Sequence, residues 1–321
     1  MSKRQKFVLR RLGSALAIAF VAISFNFVLF RALPGDAVTN ISQVPNVSNE
    51  TRAALRAQFG LDKPLWRQYF AYLERLLQGN LGVSYQNQQP VAGNVFRATG
   101  NTIPMVGLGA LVAIAVGTVI GVSAAYRQGT LLDRGITGTA MVIYSLPVQW
   151  LGLLLLVWFA GVLPTSGMSD PYLIDAGLWA TLKDRLAHMA LPSTCVALTL
   201  FGQFALVVRS SMLEALGDDH VLTARAKGYG TGRVVWREAF RSAMLPLVTL
   251  STLTLGFVVG GTILVEAVYT WPGVGLATVQ AVGTRDYPML QGIFLIVTLS
   301  VVAFNFLGDV LHAILDPRVA E

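Results

Sequence analysis

Six long stretches without a charged residue constrain this chain more than any other feature. They cover residues 12–30, 98–126, 135–169, 189–208, 242–265 and 287–308. A helix of about 20 residues crosses a hydrocarbon core about 30 Å thick, so each stretch is long enough to span a membrane. Charged residues make up only 13% of the 321 residues, whereas soluble domains carry about 25%. The sequence therefore predicts six membrane-spanning segments.

The six segments are expected to be helices. Only helices and closed barrels satisfy every backbone hydrogen bond inside lipid. A barrel needs strands of roughly ten residues with alternating polarity, and none of these stretches alternates. We therefore predict an all-α membrane protein with six transmembrane helices. The first stretch resembles a signal peptide, but an uncleaved helix is favoured because the apolar run is about as long as a full membrane span.

Basic residues in the short links predict the orientation, since these residues stay on the cytoplasmic side. The N-terminal tail has five of them, and the 209–241 insert has six basic residues against four acidic ones. Both termini and this insert are therefore expected in the cytoplasm. The 31–97 segment is basic but too long for the rule, and it is placed outside. The predicted organisation is a tail and first helix (1–30), an extracytoplasmic segment with short helices (31–97), and a five-helix core (98–321).

One helix is predicted within the external segment. Asp62 and Pro64 are typical of its start, and Gly79 is typical of its end. Its apolar side chains fall near one face and include Leu65, Tyr69, Tyr72, Leu73 and Leu76. Such a stripe is more typical of packing on neighbouring helices or at the lipid interface than of ligand binding.

The 209–241 insert has the pattern of a folded contact surface. Asp218 or Asp219 can cap a short helix that ends at Ala226, residues 228–232 form a turn, and Thr231 can cap a second helix from Arg233 onward. The small side chains of Ala224 and Ala226 would let a partner approach, and the cations Arg225 and Lys227 could pair with its acidic groups. The alternative is a basic loop held by lipid head groups.

Several classes of function lack their sequence signatures. The chain contains no G-x-x-x-x-G-K-[ST] phosphate loop, no H-E-x-x-H motif and a single cysteine, Cys195, which is expected in the core. We therefore predict no catalytic residues, no metal site and no nucleic-acid binding. Ionisable residues within the spans are too few to favour an ion-driven secondary transporter. Glu266 and Asp309, at span edges, are interpreted as anchors of helix ends.

Polar residues in or near the membrane are interpreted as interhelical hydrogen-bonding groups. These residues are Asn26, Gln149 and Gln203. A water-filled translocation path would need polar side chains along it, and the candidates are Tyr144, Ser145, Gln149 and Gln203.

Several sequence runs resemble the membrane subunits of ABC importers. TARAKGYGTGRVVWREAFRSAMLPLVT, in the insert, is similar to their cytoplasmic coupling motif in its peptide- and nickel-importer variant. Further similar runs, spread over nearly the whole chain, are RALPGDAV, FGLDKPLWRQYFAYLERLLQGNLGVSY, SLPVQWLGLLLLVWF, LPTSG, GGTILVEAVYTWPGVGLATVQAVGTRDYPMLQG and AILDPR. Two positions differ from the family's pattern. Leu222 occupies the position where the coupling motif usually has an acidic residue, and Gln149 occupies a position where an aromatic residue is common. The long external segment resembles the B-type member of the heterodimeric peptide permeases.

The resemblance implies a type I importer permease fold and a set of partners. These are a second related permease, two cytoplasmic ATPase subunits that carry ATP and Mg²⁺, an extracytoplasmic solute-binding protein and membrane lipid, with no cofactor in this chain. It implies a multi-pass protein of the bacterial inner membrane. The implied ATPase-coupling residues are Asp219, Leu222, Thr223, Ala224, Arg225, Ala226, Lys227, Gly228 and Arg233. Di- or oligopeptides are the expected cargo, and a nickel chelate, glutathione or another small solute is the alternative.

Overall fold

The chain folds into a bundle of helices, as its composition predicts. The computed structural model describes residues 3–32, 63–173, 177–258, 260 and 262–315. In chain order the helices are α1 (Lys3–Ala32), α2 (Leu65–Leu77), α3 (Val91–Tyr126), α4 (Leu131–Ser145), α5 (Val148–Phe159), α6 (Leu178–Ala215), α7 (Asp219–Ala226), α8 (Thr231–Arg233), α9 (Phe240–Phe257), α10 (Ile263–Val268), α11 (Val274–Gly283) and α12 (Tyr287–Leu315). A π-helical turn, Val234–Ala239, joins α8 to α9. Over these ranges the β-structure is limited to a bridge between Val83 and Pro90, so the all-α prediction is confirmed.

In the part of the chain that the structure describes, fewer than six helices have the length and apolarity of a complete membrane span. Among the described residues, α1, α3, α6 and α12 meet both conditions. The bent pair α4 and α5 makes a fifth span if its two halves cross together. The structure therefore bears out four of the predicted spans as single helices and leaves the total of six unconfirmed.

The 135–169 stretch is not the single helix that its lack of charge suggests. The axes of α4 and α5 differ by 103°. Leu146 between them is extended (φ −73°, ψ 132°), and Pro147 follows it. Proline lacks an N–H group and disfavours helical geometry in the residue before it, which favours a break here, although α3, α6 and α9 continue through Pro104, Pro192 and Pro246. The stretch ends in a loop after α5, in which Gly167 adopts a positive φ of 79°.

The 242–265 stretch is also broken. α9 ends at Phe257, and α10 begins at Ile263. Glycine is a poor helix former, and the stretch carries Gly256, Gly260 and Gly261. Gly260 also lies so close to α12 that a Cβ there would overlap a methyl group of Val297. Hydropathy alone does not reveal such an interruption, because glycine is charge-free.

The centre of the bundle is the contact between α3 and α6. Small residues recur at every fourth position of α3, which places them on one face: Gly109, Ala113, Gly117, Gly121 and Ala125. A Cβ at Gly109 would lie 2.6 Å from the Ser193 carbonyl oxygen. Small side chains let two helix backbones approach closely, which is how membrane helices associate when lipid supplies no hydrophobic drive. The buried Cys195 side chain lies in this core, as expected.

On the predicted external side, α2 packs against α1. The Phe27 ring lies 5.3 Å from the Tyr69 ring and 5.5 Å from the Tyr72 ring, centroid to centroid. The Ser24 and Tyr69 hydroxyl groups are hydrogen-bonded at 2.6 Å. The predicted packing of the α2 stripe on a neighbouring helix is thus confirmed for its two tyrosines. The helix ends before Gly79, whose φ is +72°, as predicted, whereas Asp62 lies outside the described residues.

Two buried carboxylates fix the links that precede α12. The Glu266 side chain is fully buried and accepts hydrogen bonds from the Thr102 hydroxyl at 2.7 Å and the Gly275 N–H at 2.7 Å. Asp286 is also buried and accepts a hydrogen bond from the Ser84 hydroxyl. Glu266 is therefore an anchor, as interpreted from the sequence, but one that joins α10 and α11 to α3.

Candidate coupling surface

The insert folds into a compact hook between α6 and α9, formed by residues 218–239. α7 begins at Asp219 after Asp218 in an extended conformation, which matches the predicted start. It ends in a Schellman motif, because the Gly228 N–H donates to the Arg225 carbonyl and the Tyr229 N–H donates to the Ala224 carbonyl. Gly228 has a φ of +78°, the left-handed conformation that such an end requires.

The inner face of the hook is part of the protein core. Val221 and Ala224 of α7 are buried against Val234 and Val235 of the following turn and against Met212 near the end of α6. Displacement of α7 would therefore displace the end of α6 and the turn that leads into α9. Ala224 does not form the exposed small surface that the sequence suggested. It faces inward, because the spacing from Val221 places both residues on the same side of the helix.

The outer face of the hook carries most of the other predicted contact residues. Leu222 is 49% exposed. The exposed residues around it are Asp219, Thr223, Arg225, Ala226, Lys227 and Gly228. This face combines an apolar side chain with two cations near the negative C-terminal end of α7. It is suited to a protein surface that offers an apolar recess and acidic groups.

Arg233 has a different role from the other predicted contact residues. Its guanidinium group lies 3.8 Å from the centroid of the Tyr229 ring and 3.7 Å from a carboxylate oxygen of Glu238. These contacts fix the turn between α7 and α8 from within the chain. The predicted capping role of Thr231 is wrong, since Gly230 is the N-cap residue and α8 begins at Thr231 itself.

An ion pair that the sequence did not reveal joins the hook-bearing helix α6 to α4. Arg209 donates to the two carboxylate oxygens of Asp133 from Nε at 2.6 Å and from a terminal nitrogen at 2.9 Å. Asp133 is buried and also accepts from the Gly129 N–H at 2.9 Å. The two residues are far apart in sequence, and each lies at the border of a charge-free stretch, where a charge is expected in any case.

An open cavity of about 820 Å³ separates the hook from the link between α3 and α4. Its lining comes from three segments and includes Arg127, Gln128, Leu213, Arg225 and Tyr229. The hook is therefore flanked by a recess, and Arg225 of its exposed face also lines that recess.

The candidate pathway residues lie at the bend between α4 and α5 and on the part of α6 that contacts α4. Tyr144 of α4 packs against α6 at Gly202, which has no side chain. A Cβ added at Gly202 would lie 2.9 Å from the Tyr144 Cβ. Gln203 is the next residue of α6. Ser145 and Gln149 lie on either side of the bend between α4 and α5, and both are exposed. The structure places all four around the α4–α5 bend and its contact with α6.

Interhelical hydrogen bonding is confirmed for Asn26, whose side-chain nitrogen donates to the Gln291 carbonyl at 3.1 Å. The anchor interpretation also holds for Asp309, which pairs with Arg11 at 3.4 Å and so joins α12 to α1. Within the described ranges, no three His, Cys, Asp or Glu side chains are grouped so that they could hold a metal ion.

Known proteins resemble this chain over nearly its whole length. Residues 117–321 match the family model described as "Binding-protein-dependent transport system inner membrane component", and residues 4–106 match that of the N-terminal membrane component of the same systems. The chain is 35% identical to the Escherichia coli K12 dipeptide transport system permease protein DppB, with 98% of both chains covered. It is 34% identical to the di/tripeptide transport system permease protein DppB of Pseudomonas aeruginosa, at 98% of both. It is 31% identical to the oligopeptide transport system permease protein AppB of Bacillus subtilis, again at 98% of both.

The long apolar helices are those of a multi-pass membrane protein, and the two matching family models identify it as a transport component. The chain belongs to the family of binding-protein-dependent transport system inner membrane components. It is therefore a permease of the bacterial inner membrane and a transport component, not an enzyme.

Proposed function

We propose that this chain is the B-type permease subunit of an ATP-driven importer of di- or oligopeptides. The observation that carries the proposal is the full-length similarity to permeases that are named for dipeptide, di/tripeptide and oligopeptide transport. The proposed assembly contains a second related permease, two cytoplasmic ATPase subunits that bind ATP and Mg²⁺, and an external solute-binding protein. Six spans with both termini in the cytoplasm, and the 31–97 segment outside, complete the proposed topology.

In this assembly the hook is the contact for one ATPase subunit. Its outer face would lie in a groove of that subunit, with Leu222 in an apolar recess and Arg225 and Lys227 near acidic groups. Closure of the ATPase pair on ATP would displace α7. Because Val221 and Ala224 are buried between α6 and the turn before α9, those long helices would move with it. Access to the path would then switch between the two sides of the membrane.

The Asp133–Arg209 ion pair extends this movement to α4. Its two short hydrogen bonds join α4 to the part of α6 next to the hook. The candidate pathway residues Tyr144 and Ser145 belong to the same helix, α4. A displacement of the hook would therefore be transmitted along α4 to the α4–α5 bend, and it would not have to pass through the contact between α3 and α6.

Purification from native membranes tests the assembly and the cargo together. A tagged chain, extracted in mild detergent, should co-purify with a second permease and with ATP-binding subunits. The complex in vesicles, supplied with its binding protein, should accumulate a labelled dipeptide only when ATP is present. Competition by unlabelled oligopeptides, but not by nickel or glutathione, would support peptide cargo. Uptake that is driven by an ion gradient without ATP would overturn the proposal.

The coupling role of the hook is tested by its charges. Arg225→Gln combined with Lys227→Gln should lower the amount of peptide transported per ATP hydrolysed and make ATPase binding more sensitive to salt. The contrasting variant is Arg233→Gln. Because Arg233 is held by Tyr229 and Glu238 within the chain, its loss should reduce stability without adding salt sensitivity. An unchanged transport ratio and unchanged ATPase affinity across salt in the double variant would reduce Arg225 and Lys227 to anchors.

A further inference from the structure

The external helix α2 has more apolar surface than its neighbour covers. At 100° per residue, its apolar side chains form a broad arc. Tyr69 and Tyr72, on one edge, pack on Phe27 of α1. The other edge is formed by Trp66, Phe70 and Leu77, whose exposed fractions are 59%, 62% and 91%. The described part of the chain therefore leaves one edge of this amphipathic helix open.

The contact with α1 fixes the depth of α2 relative to the membrane. Tyr69 is hydrogen-bonded to Ser24, which lies near the outer end of the charge-free stretch 12–30. At a rise of about 1.5 Å per residue, Ser24 lies about 9 Å inside the end of that stretch at Phe30. Helices that lie on a membrane bury their apolar face about 5–10 Å into the boundary between head groups and acyl chains. The position of α2 agrees with that depth.

The chemistry of the open edge and its surroundings fits a lipid surface. Tryptophan and phenylalanine beside basic side chains are typical of helices at a membrane interface. The Arg67 guanidinium lies over the Trp66 ring, 5.0 Å from its centroid, and Arg75 lies in the last turn. Both arginines flank the apolar arc, from which they can reach lipid phosphate groups. Phe25 and Val28, beside the α1 contact, are also exposed, so lipid that covers α1 can reach α2.

We propose that α2 is an interfacial helix whose Trp66–Phe70–Leu77 edge lies among the phospholipids of the outer leaflet. The proposal rests on the proposed topology for the side of the membrane, but the depth of α2 follows from its contact with α1. Lipid occupancy of this edge leaves the opposite, polar face of α2 for the aqueous phase. That face, which includes Ala71, is the part of α2 that remains open to soluble proteins, and Glu74 lies at the border between it and the apolar edge.

Spin-label depth measurements test this proposal. Cys195, which is buried, is replaced by alanine, and a single cysteine is introduced at Phe70 or, as the matched control, at the exposed neighbour Ala71. Each labelled chain is placed in phosphatidylethanolamine–phosphatidylglycerol vesicles without a binding protein. The collision rates with oxygen, which is concentrated in lipid, and with a water-soluble nickel chelate are then compared. The chelate is present on both sides, so the result does not depend on the topology.

The label at Phe70 should collide several-fold more often with oxygen than with the chelate, and the label at Ala71 should show the reverse. Equal access of the chelate to both positions would overturn the proposal, and it would mean that the edge is open to a soluble partner. Both variants must retain the melting temperature of the parent chain. If the cysteine at Phe70 lowers it, a cysteine at Leu77, on the same edge and at the end of α2, gives the same comparison against Gln78.

Discussion

Removal of the carboxylate of Asp133 should destabilise the chain more than most single substitutions at a span border. Asp133→Ala would delete the acceptor of the two Arg209 hydrogen bonds and of the bond from the Gly129 N–H. The Asp133 side chain is only 4% exposed, so water cannot replace it fully. The Arg209 guanidinium would then remain beside α4 with its charge uncompensated.

The expected cost follows from this geometry. Breaking a buried ion pair by removing one partner costs about 3–5 kcal/mol. The Arg209 side chain is 25% exposed, so water can solvate part of its charge, and the lower end of that range, about 3 kcal/mol, applies. At about 2 °C per kcal/mol for a chain of this size, the midpoint of thermal unfolding should fall by about 6 °C.

The assay is thermal unfolding of the purified chain in detergent. Its readout is the fraction of the chain that remains monodisperse in size-exclusion chromatography. The control is the double variant Asp133→Leu with Arg209→Met, which removes both charges and keeps a similar volume. It should recover most of the lost stability, because replacing a buried pair by packed apolar residues is often neutral. A single variant that melts like the parent, or a double variant that melts as low as the single one, would refute the reasoning.

Three further predictions concern the turn, the buried carboxylate and the topology. Gly228→Val should weaken the retention of ATPase subunits in pull-downs, because it imposes about 1–3 kcal/mol of backbone strain at a φ of +78°. The control Gly230→Val, at a φ of −61°, should retain the subunits. Equal retention in the two variants would count against this prediction. Glu266→Gln should lower the stability of the fold by about 2 kcal/mol, because a side-chain amide has one oxygen and cannot accept all the hydrogen bonds that Glu266 accepts from Thr102 and the α11 amides. An unchanged melting temperature would contradict the anchor role. Cysteine probes at residues 80 and 170 should be labelled from outside intact cells and one at 230 protected; the opposite pattern would overturn the orientation.

The sequence predicts the helices of this protein better than it predicts their breaks. Absence of charge identifies apolar stretches because a charged side chain is costly to place in the lipid interior. The bend at Pro147 and the interruption after Phe257 depend on backbone geometry, which hydropathy does not measure. Pro147 alone is not a sufficient signal for the bend, because Pro104, Pro192 and Pro246 lie inside helices that continue through them.

The first helix of the hook, α7, is predicted well because its signals are local, whereas the predicted cap at Thr231 is wrong. Capping residues and a glycine in the left-handed conformation act over a few positions, so the bounds of α7 and the geometry at Gly228 follow from them. The pairing of Asp133 with Arg209 depends on a contact between distant segments. A single sequence contains no signal for such a pairing. The inward position of Ala224, by contrast, follows from its helical spacing to Val221.

Photo-cross-linking from α7 tests the central claim most directly. A photoreactive phenylalanine analogue is placed at Leu222, which is exposed, or at Val221, which is fully buried in the chain's own core. In membranes that contain the whole transporter, the probe at position 222 should cross-link to an ATP-binding subunit, and the probe at 221 should cross-link only within the chain. Absence of an ATP-binding subunit among the products from position 222, with irradiation and expression verified, would contradict the claim that the hook couples this permease to its ATPase.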